Sequence, residues 1–278
     1  MEKGVWFALL GLLCFAAGFA DDGRGESLAD RRLASILEDE KALVEAAAQG
    51  AEADELLALA GDVARRYEGF LRENPDHLYG WILCGKFLRS IGADDRAFAA
   101  FRKADSLSPG LAVVQSHLGL ILADEGAFRP ALAHLLRAVE IEPAEPAYRH
   151  DLGEFLTRFG PALEEDGVLE SGRSGRLALE AFGEAFHLEP DNFERGWRWA
   201  EMFADLPDTD WEAAAAAWEE VHAAAGSLPE KEASRLQIAR AWIEAGDSDR
   251  AEPWLDPVET PALADTWRAL KHRLGDAP

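Results

Sequence analysis

The sequence is short of basic residues and of cysteine, and each shortage excludes a class of protein. Its 278 residues include 28 Lys and Arg against 52 Asp and Glu, a formal net charge of −24. Because such a chain repels a phosphate backbone, we expect no nucleic-acid partner, and the same repulsion disfavours an anionic membrane surface. Two cysteines are too few for the disulfide framework of a small secreted domain.

Residues 1–20 differ in kind from the rest of the chain. Lys3 precedes an apolar run from Gly4 to Phe19, and two aspartates follow Ala20. This pattern is typical of a secretory signal peptide that is cleaved after residue 20. An uncleaved N-terminal anchor is the alternative, although the run is shorter than the roughly 20 residues that usually span a bilayer. We therefore expect an exported protein of the periplasm or cell envelope, without stable membrane insertion after cleavage, in which residues 21–26 form a flexible linker.

Prolines recur at regular intervals through the middle of the chain. Pro75, Pro109 and Pro143 are each 34 residues apart, Pro190 follows after 47 residues, and Pro229 follows after a further 39. A small residue stands ten positions after each proline, and a turn former stands seventeen positions after it. The small residues are Gly85, Gly119, Gly153, Ala200 and Ala239, and the turn formers are Gly92, Gly126, Gly160, Pro207 and Gly246. A period of this length is typical of stacked supersecondary repeats.

A second small residue follows each turn former and predicts a second helix in each unit. The five are Ala97, Ala131, Ala178, Ala214 and Ala251, each followed four residues later by a large apolar side chain. Small residues let two antiparallel helices approach closely while larger apolar residues fill the space beside them. One hairpin cannot bury its own apolar face, so neighbouring hairpins must stack. The pattern therefore predicts an all-α chain of paired helices.

These segments resemble the tetratricopeptide repeat family. The resemblance is carried by the segments WILCG at Trp81–Gly85 and AFAAFRKA at Ala97–Ala104, and by the pairs Leu118-Gly119 and Leu152-Gly153 with their following alanines. It implies a right-handed α-solenoid of antiparallel helix pairs, with about five repeats over residues 77–258. The fourth repeat departs from the pattern, with Trp199-Ala200 in place of Leu-Gly. In the fifth, Pro253 and Pro257 break the second helix.

The flanking segments are also predicted to be helical. Ser27 followed by Asp30 resembles a capping box that opens a helix to about Ala48, and a second helix is expected from Asp54 to Glu73. We expect residues 27–76 to form a divergent N-terminal helical hairpin. Residues 259–278 are expected to form a C-terminal capping helix and tail, with the helix over Thr266–Leu274. No stretch alternates as a strand would.

The resemblance implies a function as well as a fold. In such arrays a concave groove, lined mainly by the first helix of each pair, binds a peptide or a partner protein. Trp197 is expected to be an exposed aromatic anchor, because Trp199 on the same helix occupies a core position. The groove candidates are Tyr79, Ile82, Lys86, Arg89, Ser116, Leu120, His150, Glu154, Thr157, Arg158, Trp197, Glu201, Leu236, Arg240 and Ile243.

Motifs for chemistry are scarce. The seven histidines have neither HExxH spacing nor companion cysteines, so we expect no metal, no cofactor and no catalytic residue. Cys84, the thiol that remains if Cys14 leaves with the signal peptide, is expected to be a small buried apolar side chain. The function predicted is a non-enzymatic interaction scaffold. The alternatives are a structural subunit or assembly factor of a cell-envelope complex and, more remotely, a carbohydrate-binding or enzymatic protein that uses exposed tryptophans.

One segment interrupts the repeat. The separation between Gly160 and Ala178 is thirteen residues longer than the repeat predicts, which indicates an insertion near 162–174. The segment lacks the lysine of a phosphate-binding loop and the alternating acids of an EF-hand. We expect an insertion in the turn between two paired helices, which lengthens the first helix by a turn before Gly167, with Ser171 or Ser174 capping the second helix. It is either a plain surface loop or an element that contacts a partner.

Overall fold

The computed structural model describes residues 27–275, which contain thirteen α-helices and no strand. The signal peptide and linker predicted for residues 1–26 lie outside the described residues. The helices are α1 (Leu28–Ala48), α2 (Ala53–Glu73), α3 (Leu78–Ser90), α4 (Asp94–Leu107), α5 (Ala112–Asp124), α6 (Phe128–Ile141), α7 (Pro146–Glu165), α8 (Arg173–Leu188), α9 (Phe193–Glu201), α10 (Trp211–Ala224), α11 (Leu228–Glu244), α12 (Ser248–Ala251) and α13 (Ala264–Gly275). The all-α fold of paired helices is confirmed.

The chain divides into two compact units, one ending at Ile121 and the other beginning at Leu122. Unit 1 contains α1 to α4 and most of α5. Unit 2 contains the remaining helices.

Unit 1 begins with the capping box that the sequence predicted. The Ser27 hydroxyl accepts a hydrogen bond from the Asp30 backbone N–H at 3.1 Å, and the Asp30 carboxylate accepts one from the Ser27 N–H at 3.0 Å. These bonds satisfy donors that the first turn of a helix otherwise leaves unpaired. The core of unit 1 is aromatic at its centre, where the largest fully buried side chains are those of Tyr67, Phe70, Phe87 and Phe101.

Glycines explain how paired helices approach each other. A Cβ atom added to Gly85 of α3 would lie 2.8 Å from the ring of Phe101 on α4. In unit 2, a Cβ atom on Gly153 of α7 would lie 2.7 Å from the ring of Phe182 on α8. Gly85 and Gly153, ten positions after Pro75 and Pro143, therefore leave space for the aromatic ring of the paired helix. The ring fills that space at the packing density of a protein interior.

The insertion of the third repeat is divided between the end of α7, a turn at residues 166–172 and the start of α8. Helix α7 continues through Gly160 to Glu165, so the expectation that Gly160 forms the turn is wrong. Gly160 instead packs against α8, where an added Cβ atom would overlap the Ser174 side chain. The turn lies later, at residues 166–172, where Gly167 and Gly172 adopt φ angles of 67° and 70°. These positive angles suit glycine because it carries no Cβ atom.

Helix α8 is capped by a residue of the neighbouring helix. Its N-cap is Gly172, so the expected cap by Ser171 or Ser174 is wrong. The Glu164 carboxylate of α7 accepts hydrogen bonds from the Gly172 N–H at 2.7 Å, the Ser174 N–H at 2.8 Å and the Ser174 hydroxyl at 2.6 Å. The hydrogen bonds from Ser174 and Gly172 lower the pKa of Glu164. A carboxylate at a helix N-terminus also interacts favourably with the helix dipole.

The C-terminal helix of unit 2 covers an apolar face of α11. Leu270 of α13 is buried with Leu236 and Ala239 of α11 and with Leu255. The Trp267 indole N–H donates a hydrogen bond to the Leu255 carbonyl at 3.0 Å. Helix α13 is thus amphipathic, with an apolar side that completes the core of unit 2 and exposed basic residues on the other.

Candidate functional site

Three of the groove candidates are core residues. Ile82, Ser116 and Leu236 stand seven residues after their prolines and are only 7%, 3% and 1% exposed. Their assignment to a binding surface is therefore wrong. The side chain seven residues after the proline faces neighbouring helices in these repeats and is therefore buried. In the last repeat, α13 covers Leu236.

The two remaining residues at this register, His150 and Trp197, are half-buried. The His150 ring packs edge-on against Phe182, with ring centroids 5.3 Å apart, and burial lowers its pKa. Trp197 packs edge-to-face against Trp218 at 4.7 Å and against Phe193 at 5.7 Å. The expectation of an exposed anchor at Trp197 is therefore wrong.

Unit 1 presents four candidates with some exposure. Tyr79 is 61% exposed at the start of α3, whereas Lys86, Arg89 and Leu120 are half-buried. Burial lowers the pKa of Lys86, and the Glu40 carboxylate opposes that shift. This surface of α3 is therefore partly withdrawn from solvent and offers Tyr79 as its most accessible side chain.

His117 of α5 is a half-buried neighbour that the sequence did not single out. Its ring stacks on Phe101 at 4.7 Å, and its Nδ1 atom makes no hydrogen bond. Burial, with smaller contributions from Lys86 and Arg89, lowers its pKa to about 3. The imidazole is therefore neutral at physiological pH and acts as a packed aromatic ring.

Unit 2 presents a row of charged candidates on its first helices. Glu154 and Arg158 of α7 are exposed, as are Glu201 of α9 and Arg240 of α11. Arg198, which the sequence analysis missed, joins part of this row. Its Nε lies 2.6 Å from Glu154 and its Nη1 lies 4.0 Å from Glu201. Its guanidinium also lies 4.6 Å from the Phe182 ring centroid, so this cation of α9 contacts both α7 and α8.

Two of the exposed candidates share a pocket in unit 2. Glu201 and Arg240 line a cavity of about 50 Å³ whose walls include Phe203, Trp211 and Trp218. Arg240 makes no ion pair with any residue in the range 27–275. The cavity is large enough for one small apolar group, and an acid and a base stand beside it. Of the other candidates, Thr157 is half-buried, and Ile243 packs against the cluster under α13.

Groups suited to catalysis or metal binding are scarce in the described residues. Within residues 27–275, no group of three or more His, Cys, Asp or Glu is placed to hold a metal ion. Burial raises the pKa of the Cys84 thiol to about 12, so it remains protonated and unreactive. His222 Nδ1 lies 2.9 Å from the Ser234 hydroxyl, but Ser234 is fully buried and donates to the Glu230 carbonyl. That pair is a structural bond and not a nucleophile with its base.

Between Ser27 and Gly275, none of the helices combines the length and the apolar character that crossing a bilayer requires.

The repeated helix pairs, two of which are closed by a glycine-to-aromatic contact, have the tetratricopeptide repeat fold, and solved structures agree. YrrB, a tetratricopeptide repeat protein with a peptide-binding site, has a TM-score of 0.53 at 16% identity, over 76% of this chain and 96% of that one. PilF of Pseudomonas aeruginosa has a TM-score of 0.54 at 13% identity, over 87% and 99%. PilW, a type IV pilus biogenesis factor, has a TM-score of 0.56 at 11% identity, over 88% and 99%.

The likeness to these three structures concerns the fold. No protein-family model and no curated protein matches the sequence.

Proposed function

We propose that this protein is a non-catalytic scaffold that binds a segment of a partner protein on the exposed side chains of its first helices. The observation that carries the proposal is the grouping of Glu201 and Arg240 at a pocket with aromatic walls. Arg240 is a charged donor without an ion-pair partner among the described residues, and Glu201 supplies acceptors. An apolar pocket beside a few fixed polar groups is the usual composition of a recognition site.

Binding would use the two kinds of group together. A small apolar side chain of the partner enters the pocket, while Arg240 and Glu201 pair with charged or backbone groups on either side of it. Glu154 and Arg158 extend the same charged row along α7. In unit 1, the candidates that are at least partly exposed are Tyr79, Lys86, Arg89 and Leu120.

The setting we propose is the periplasm or cell envelope. Two features support it: the signal-like residues 1–20 and the likeness in fold to a type IV pilus biogenesis factor. The second observation also favours the alternative role, that of an assembly factor or structural subunit of an envelope complex. By contrast, a sugar-binding role for the tryptophans lacks support, since Trp197, Trp199 and Trp218 are packed among other rings.

The test of the binding surface is a charge reversal with a matched control. Glu201→Lys combined with Arg240→Glu should abolish recovery of a partner in affinity purification from native envelope, because both charges are inverted at the pocket. The control combines Glu219→Lys with Arg176→Glu, which reverses two exposed charges on α10 and α8 away from that pocket. Equal recovery of the partner by both double variants would exclude this surface.

The proposed setting has its own test. Sequencing the N-terminus of the native protein from a periplasmic or envelope fraction should find that the chain begins at residue 21. An N-terminus at Met1 in the cytosolic fraction would refute export, whereas Met1 in the membrane fraction would indicate the uncleaved anchor.

A further inference from the structure

Unit 1 contains an apolar groove that none of the predicted binding residues line. It lies between α2 and α4, with α3 beneath it, and its volume is about 630 Å³. Leu71, Cys84, Leu88 and Ala100 form a buried floor, and Trp81 is half-buried beside them. A concave apolar surface of this size is in the range that binds ligands in proteins.

Basic residues outnumber acidic residues at the rim of the groove, the opposite of the chain as a whole. Arg72, Arg96 and Lys103 line it, together with a single acid, Glu68. Arg96 pairs with Glu68, and the Lys103 ammonium lies 4.0 Å from the Asp76 carboxylate. Arg72 is exposed and makes no ion pair with any residue between 27 and 275. In a chain with 52 acids and 28 bases, this rim has more cations than anions.

The length of the groove suits a helix. On α4 it extends from Arg96 to Lys103, and on α3 from Trp81 to Leu88, seven residues in each case. At a rise of 1.5 Å per residue this is about 10 Å, or two helical turns. A helix that lies in such a groove contacts it through side chains at positions i, i+3, i+4 and i+7, which span the same two turns.

We propose that this groove binds an amphipathic helix of a partner protein whose apolar face is flanked by Asp or Glu. The leucine-sized side chains of that helix fill the space over Leu71, Leu88 and Ala100. Its carboxylates pair with Arg72 and Lys103. This groove and the pocket at Glu201 and Arg240 have no lining residue in common, so the proposal for either one can be refuted without refuting the other.

The experiment uses the full chain and two synthetic helical peptides of about 18 residues, labelled for fluorescence anisotropy. Both carry Leu at i, i+3, i+4 and i+7. One has Glu at the flanking positions and the other has Gln. We expect the Glu peptide to bind more tightly than the Gln peptide. Arg72→Glu combined with Lys103→Glu should raise its dissociation constant about tenfold or more, since rim charges across an interface are inverted.

Two further variants separate the groove from the general charge of the protein. Lys41→Glu reverses an exposed cation on α1 that lies outside the groove, and it should leave binding of the Glu peptide unchanged. Ala99→Phe fills the groove from an exposed position on α4 without changing charge, and it should weaken both peptides. Circular dichroism confirms that each variant is folded. The proposal is overturned if the Glu peptide does not bind, if it binds no better than the Gln peptide, or if Lys41→Glu weakens it as much as the groove variants do.

Discussion

At the scale of single residues, the most unusual group is a carboxyl inside the N-terminal hairpin. Glu40 of α1 is 9% exposed and accepts a hydrogen bond from the hydroxyl of Tyr67, which is fully buried on α2. Burial raises the pKa of Glu40 to about 7, while the Tyr67 hydrogen bond and the Lys86 charge of α3 oppose the rise. Burial also raises the pKa of Tyr67, so this hydroxyl remains a donor.

This pKa predicts how stability changes with pH. Between about pH 4.5 and 7 the folded state holds a proton on Glu40 that the unfolded state releases, so stability falls as pH rises through this range and then levels off. The contribution is about 3 kcal/mol, since one pKa unit corresponds to about 1.4 kcal/mol. Glu40→Gln keeps an acceptor for Tyr67 but cannot ionise. Denaturant unfolding at pH 5 and pH 8 should therefore show a smaller loss of stability in the variant than in the native protein.

The control for this prediction is Glu38→Gln, an exposed carboxyl on the same helix. It should keep the native dependence on pH. If Glu40→Gln and the native protein lose the same stability between pH 5 and pH 8, the Glu40 carboxyl does not titrate as described.

Residues also show where sequence reasoning reaches its limit. Trp199 was correctly predicted to be in the core, because its position in the repeat defines the side it faces. The expectation that Trp197 is exposed was wrong, because its ring packs against another aromatic ring, that of Trp218 on α10. The same applies to Leu236, whose burial requires α13. The repeat pattern specifies the small residues and the core aromatics, but it does not specify which rings cover the side chains between them, even within one repeat.

At the scale of helices, the α7–α8 pair shows how an insertion is absorbed. Its thirteen residues were predicted from spacing, and the expected lengthening of the first helix by a turn before Gly167 is confirmed, since α7 ends at Glu165. Gly160 resembled a turn glycine because earlier repeats turn at that position, yet α7 continues through it. At Gly160 the helix packs closely against Ser174 of α8, a contact that the repeat pattern does not specify.

One glycine substitution tests that contact, and a second, on α2, serves as its control. Gly160→Ala should lower the free energy of unfolding by about 1–3 kcal/mol, because the added methyl group overlaps the Ser174 side chain. Gly69→Ala should raise it by about 0.5–1 kcal/mol, because Gly69 lies inside α2 with nothing within 4 Å of the added Cβ atom. Urea unfolding of the two variants measures both. If Gly160→Ala is neutral or stabilising, the two helices are not in close contact there.

The cap of α8 makes a second prediction at this scale. Glu164→Ala should cost about 1 kcal/mol of stability, the usual effect of losing a cap, because it removes the acceptor of three hydrogen bonds. Glu165→Ala, one residue further along α7 and exposed, should cost little. Because the pKa of Glu164 is lowered by these bonds, the difference between the two variants should shrink in acid, below the ordinary pKa of a glutamate. Equal melting temperatures for both variants at pH 7 would contradict the capping role.

At the scale of the whole molecule, an array of stacked hairpins needs a defined end. A terminal repeat exposes the apolar face that a further repeat would cover, unless a capping element with a polar outer side covers it. In unit 2 that element is α13. The segment leading to it is fastened by Glu232 of α11, whose buried carboxylate accepts hydrogen bonds from the Glu259 N–H at 2.6 Å and the Thr260 N–H at 2.9 Å.

Leu270 is the side chain through which this cap can be tested. Leu270→Ala should lower the free energy of unfolding by about 2–5 kcal/mol, because it leaves a cavity among Leu236, Ala239 and Leu255. Binding of an apolar dye should also increase, since a loosened α13 exposes α11. Leu228→Ala provides the comparison, because Leu228 is half exposed and its loss should change stability by less than about 0.5 kcal/mol. If Leu270→Ala behaves like Leu228→Ala in both measurements, α13 is an appendage, and the apolar face of α11 must be covered in some other way.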